Sequence, residues 1–222
     1  MKPTHPLFAA AALLAALLTA CGSPAASSQS PAAPQAAPPP SAQEAYAAFL
    51  AGDRTRLADP ERWWVPDFGQ DGLCYEYACL DLDGDGGQEL VIQMVQDPSG
   101  YNGVFHWAEG QLHCWNSDGA EGSCRDHPLA DGSMVRQMDF NGTTHYTLFR
   151  YESSGSTTEL GDLFTRQERI PEDSPLPCPY YEADGTALTQ EEFARQLDER
   201  VTQQLLPRSA WTALPAAPAP AS

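Results

Sequence analysis

The sequence predicts an α+β domain, a meandering antiparallel β-sheet of about six to eight strands with an N-terminal and a C-terminal helix packed on it. Three observations predict this class. Capping boxes open apolar-periodic stretches at Ser41 and at Thr189. Between them lie short β-branched and aromatic runs separated by Gly, Asn and Asp. Two of the separators, Glu109-Gly110 and Asn141-Gly142, have the composition of hairpin turns.

Residues 1–21 read as a targeting segment. Lys2 is the only lysine, residues 7–18 are an unbroken apolar run, and Leu18-Thr19-Ala20-Cys21 matches the lipobox of bacterial lipoproteins. That chemistry needs small residues before the cut and a thiol after it, because Cys21 receives the diacylglycerol through a thioether. The alternative is an ordinary secretory signal with a chance cysteine at the cut. The expected address is the outer, extracellular face of the bacterial cytoplasmic membrane, with the membrane as partner through the anchor at Cys21. Roughly two or three acyl chains anchor stably where a single one does not.

Residues 22–40 are rich in Pro, Ala, Ser and Gln and carry no charge. Such a stretch cannot bury a core and reads as a disordered tether. A single globular domain is expected over 41–212, followed by a loose tail over 213–222.

Ser41-Ala42-Gln43-Glu44 starts the first helix, Tyr46, Phe49 and Leu50 form its apolar face, and Gly52 ends it. A loop with Trp63-Trp64 follows. The two indoles read as a clamp of helix on sheet, with sugar stacking as the rival reading. Strands are predicted over 73–80 and 90–95, then over 104–107 and 111–115. If Glu109-Gly110 is a two-residue loop, His106 faces His113 across that hairpin, a pair that lacks an evident third ligand for zinc. Residues 116–123 read as a polar loop. Runs at 134–140 and 143–151 make a further hairpin, 161–170 one more strand, and 171–179 a proline-rich crossing. Asp184-Gly185 turns into the last helix, where Phe193, Leu197, Val201 and Leu205 form one stripe before Pro207 stops it. Trp211 is placed to tuck back onto the domain.

The chemistry concentrates in Asp81-Leu82-Asp83-Gly84-Asp85-Gly86-Gly87-Gln88-Glu89. A tight curl aims side chains 1, 3 and 5 of such a loop, here Asp81, Asp83 and Asp85, at one point. Gly86 carries no Cβ to forbid the sharp turn at position 6. Gly87 offers a backbone carbonyl at position 7, and Glu89 a carboxylate or a held water at position 9. Calcium takes six to eight oxygens in a forgiving geometry, so Ca2+ in a structural role is the expected cofactor. Four carboxylates in nine residues repel one another, which makes an ion-free acidic turn, the alternative, costly. Position 12 is Ile92 rather than a bidentate glutamate, so the loop is not an EF-hand.

Set between two strands, this phrase resembles the calcium loops of FG-GAP and VCBS repeats. It resembles more closely small lipoproteins of gut Firmicutes that carry a DIDGDGxPEL phrase between strands, here Asp81 to Leu90. The resemblance implies location and ion and little mechanism. The single copy argues against a propeller and against integrin-like ligand binding.

The net charge of −18 argues against nucleic acid and against an electrostatic grip on anionic lipid. Six cysteines less the lipidated Cys21 leave an odd number, so one is unpaired or pairs between chains. Cys114 and Cys124 flank a short loop and are the expected bridge. Cys74 and Cys79 fall on opposite faces of one strand and should not pair with each other, though one of them is a candidate partner for Cys178. No Gly-x-Ser-x-Gly or glycosidase phrase stands out, so catalytic residues are expected to be none. A binding or accessory module with an unidentified protein or glycan partner is the expected function, and a monomer the expected state. A cell-wall or glycan hydrolase and a solute-binding lipoprotein are the alternatives.

Overall fold

The computed structural model describes residues 40–69, 73–96, 100–119, 124–140, 143–167, 180–182 and 184–215. The lipobox, the tether before Pro40, Cys178 and the Asn141-Gly142 turn lie outside these residues.

Both capping boxes form. Ser41 and Glu44 exchange hydrogen bonds at the start of α1 (Ala42–Leu50), and Thr189 and Glu192 do so at the start of α2 (Gln190–Arg200). In each, the cap hydroxyl satisfies an orphan N–H of the first turn and the glutamate returns the favour. Gly52, at φ +99°, turns the chain away from α1. The second helix is shorter than its stripe predicts. Val201 is already the C-cap, residues Thr202–Gln204 are a 3-10 turn, and Leu205 bridges to Leu129.

The strands are β1 (Tyr75–Leu80), β2 (Glu89–Met94), β3 (Tyr101–Ala108), β4 (Gln111–Gly119), β5 (Cys124–Pro128), β6 (Met134–Phe140), β7 (Thr143–Tyr151), β8 (Thr157–Gln167), β9 (Tyr180–Glu182) and β10 (Thr212–Ala213). They form two five-stranded antiparallel sheets, ordered β10-β1-β2-β3-β4 and β5-β6-β7-β8-β9. Where a single sheet is expected, the described residues form two sheets of ten strands in all. β10 pairs Thr212 and Ala213 with Tyr77 and Glu76 at the edge of the first sheet.

The reason lies in β2, which is buried on both faces and so needs cover on both. Successive side chains of a strand point to opposite faces. Leu90 and Ile92 pack with Tyr46 and Phe49 of α1, together with Phe105 and Leu112. Val91 points the other way and joins Val104, Met134, Phe149 and Tyr151 in a core between the two sheets. The outer face of the second sheet, through Val135 and Tyr146, takes Phe193 and Val201 from α2's end of the chain. The helices therefore cap opposite outer faces of a two-sheet stack, where a shared sheet was expected.

The β3–β4 hairpin closes on Ala108 and Gln111, so Glu109-Gly110 is a two-residue loop with positive φ at both residues. That is the type I′ geometry whose twist matches the strands. His106 and His113 are direct partners, as the turn length predicts. A bulge at Val104–Phe105 leaves Trp115 as the extra residue. Trp115 reaches between the sheets and stacks on His106 at 4.6 Å and on Tyr151 at 5.2 Å. Trp63 packs against the α1 core, as the clamp reading has it, whereas Trp64 is 63% exposed and touches Tyr101 edge-on. Trp211 packs against the core between the sheets.

Candidate metal centre

The loop after β1 is curled by its own carboxylates. Asp81 accepts from the Gly84 N–H through Oδ1 at 2.6 Å and from the Gly86 N–H through Oδ2 at 3.1 Å. Asp83 Oδ1 accepts from the Asp85 N–H at 3.1 Å, and Asp85 Oδ1 from the Gly87 N–H at 2.6 Å. These short Asx-type turns need a residue that tolerates positive φ, and Gly84 and Gly86 sit at +81° and +88°. Gly87 has a different constraint: a Cβ there would stand 2.8 Å from Asp85 Oδ1.

The curl brings one donor oxygen each from Asp81, Asp83 and Asp85 within 4.8 Å of one another. Asp83 Oδ2 is enclosed and has no hydrogen-bond partner among the described residues. An all-oxygen donor set with an orphaned carboxylate oxygen suits a hard divalent cation.

Glu89, at the start of β2, is only 1% exposed. Its Oε2 accepts from the Leu82 N–H at 2.7 Å, which ties the two ends of the loop together. Its Oε1 meets His106 Nδ1 at 2.9 Å. Burial pushes the Glu89 carboxyl up from its ordinary value, and the bonds from Leu82 and His106 offset this only in part. The structure thus groups Asp83, Glu89 and His106 within 4.8 Å, a second set that shares Asp83 with the first. It does not group Glu89 with Asp81 and Asp85.

His106 is the residue that sequence reasoning placed without its partner. Its signal is the β2–β3 register: Leu90 pairs with Phe105, so the next residues along, Glu89 and His106, come side by side. No short turn joins β2 to β3, so that register has no local mark in the sequence.

The loop is held from two sides. Tyr46 of α1 donates its hydroxyl to the Gln88 carbonyl at 2.6 Å. Gly132, in the turn between β5 and β6, lies against the Asp81 carbonyl. Beside Asp83 is a hollow of about 380 Å³ bordered by Arg150, Tyr151 and Thr158. A second cleft of about 380 Å³ is lined by His106, His113, Trp115, Trp63 and Arg62.

The expected Cys114–Cys124 bridge does not form, and both residues are free thiols. The polar loop expected between them is largely strand. β4 continues to Gly119 at the edge of one sheet, and Cys124 opens β5 at the edge of the other. Cys114 Sγ lies 3.2 Å from the Asn116 carbonyl, and burial pushes its thiol up to about 12. Cys74 and Cys79 are also free. Comparison with protein-family models, with curated proteins and with solved structures finds no match to this chain.

Proposed function

We propose that this chain is a lipid-anchored extracytoplasmic binding or accessory module, and that its 81–89 loop holds one structural calcium ion. The observation that carries the ion is the convergence of Asp81, Asp83 and Asp85, one oxygen of each within 4.8 Å of the others, together with an Asp83 oxygen that has no hydrogen-bond partner among the described residues. These three would hold it, with the loop's backbone already bent to aim them. An ion there neutralises carboxylates that otherwise repel, and this is the chemistry it supplies. Tyr46 and Gly132 abut the same loop, so fixing it also fixes the seating of α1 and of the β5–β6 turn.

The anchor rests on the lipobox at Cys21 and on the uncharged tether. No helix among the described residues is long and apolar enough to cross a membrane. The accessory role rests on the loop's place in the fold: its carboxylates hold backbone N–H groups, which is bracing work.

The test is a thermal melt of residues 41–222 in EGTA and in millimolar calcium, repeated for Asp83→Ala. Calcium at about a hundred times its Kd adds roughly 2.7 kcal/mol. For a domain of this size that raises Tm by about 5–10 °C. The rise should vanish in Asp83→Ala. Equal melts in EGTA and calcium would leave the loop an acidic turn and refute the reading.

A further inference from the structure

We infer that Asp83, Glu89 and His106 form a second metal position, one that takes a first-row transition ion of the Zn2+ class, next to the calcium position and sharing only Asp83 with it. This goes beyond the calcium reading and shares one observation with it, the unpartnered Asp83 oxygen.

The three donors come from three elements: the loop, β2 and β3. One is an imidazole nitrogen, which hard calcium does not favour and which zinc and its neighbours do. The 2.9 Å between His106 Nδ1 and Glu89 Oε1 is a hydrogen-bond length. It is also the spacing of adjacent ligands in a metal shell, since two atoms at right angles, each about 2.1 Å from an ion, lie roughly 3 Å apart.

The surroundings favour an ion over a bare hydrogen bond. Glu89 is buried, and Asp83 Oδ2 is enclosed with no N–H or O–H partner among the described residues. A polar oxygen left unpartnered in such a place is unfavourable. A divalent ion held by Asp83, Glu89 and His106 would give that oxygen a partner.

The supporting shell is present as well. The Leu82 N–H holds Glu89 Oε2, and Trp115 lies flat on the His106 ring at an interplanar angle of 13°. Ligands held in this way lose little freedom on binding. A hollow borders Asp83 and a cleft borders His106, so two of the three ligand residues line open space.

The experiment loads Co2+, a spectroscopic stand-in for Zn2+, into the purified full-length protein held in saturating calcium. Visible d–d absorption, bleached by Zn2+ at one equivalent, is expected. His106→Gln should weaken Co2+ binding roughly 10–100-fold and leave the calcium-dependent rise in Tm. Asp81→Asn should do the reverse, so failure of the calcium reading and failure of this one give different patterns. Hyperfine-shifted imidazole N–H signals in the NMR spectrum of the Co2+-loaded wild type give a check that needs no variant. Absence of the d–d band in the wild type, absence of those signals, or equal loss of Co2+ in His106→Gln and Asp81→Asn would overturn the second position.

Discussion

Gly132 stands against Asp81: a Cβ added at position 132 would lie 2.3 Å from the Asp81 carbonyl oxygen. The turn of one sheet is thereby seated on the acidic loop of the other. Gly132→Ala meets both this contact and a φ of +82°. A loss of about 2–3 kcal/mol in urea unfolding is expected, together with a smaller calcium-dependent rise in Tm. Gly185→Ala is the control. It has φ +85° but open space around it, so only the backbone strain of about 1–2 kcal/mol applies.

Gly87→Ala should act on the ion and not on the fold. The backbone there is not in the left-handed region, but the new Cβ displaces the Asp85 carboxylate. Stability in EGTA is expected to change little. Calcium affinity, read from a titration of Tm or by calorimetry, should fall about tenfold, equivalent to roughly 1.4 kcal/mol.

Glu76 on β1 is buried and accepts from Nη1 and Nη2 of Arg208, at 2.5 Å each, and from Gln93 Nε2 at 2.6 Å. Burial pushes its carboxyl up, but the bonds from Arg208 and Gln93 outweigh that and hold it below its ordinary value of 4.5. The unfolded chain therefore binds the proton more readily. This contribution to stability is complete above the ordinary glutamate range and is lost as pH falls through it. Arg208→Ala should cost about 1–2 kcal/mol at pH 7, discounted because the Arg208 side chain is 71% exposed. Denaturation of both proteins at pH 7 and again near pH 3 should show the gap between them closing in acid.

Met134 is fully buried in the core between the sheets, with Val91, Val104 and Phe149. Met134→Ala removes packing that neither sheet can replace alone, and a loss of about 2–5 kcal/mol is expected. Because both sheets share this core, tryptophan fluorescence and far-UV circular dichroism should follow one transition, in the mutant as in the wild type.

Much of this arrangement was legible because it is local. Ser41 with Glu44 and Thr189 with Glu192 name helix starts within four residues, and Glu109-Gly110 sets the register that faces His106 with His113. The spacing of Asp81, Asp83 and Asp85 likewise carries its own geometry. What could not be read is non-local. Alternation in β2 says that Val91 and Leu90 face opposite ways, but not that a second sheet awaits Val91. That β4 and β5 belong to different sheets has no signature in the sequence distinct from a hairpin, which is why Cys114 and Cys124 read as flanking one short loop. His106 meets Glu89 only through the pairing of β2 with β3, across a connection longer than any two-residue turn.

The pairing of β10 with β1 sets an order of events during synthesis. The Tyr75 carbonyl waits for the Leu214 N–H, and Glu76 for Arg208. Until residues 208–214 have been made, the outer edge of β1 is open and Glu76 lacks Arg208. A product cut short before Arg208 keeps that open edge and leaves Glu76 with the Gln93 bond and no arginine, in the state that proteases and edge-to-edge pairing exploit. The arrival of residues 208–214 is thus registered at the outer edge of β1.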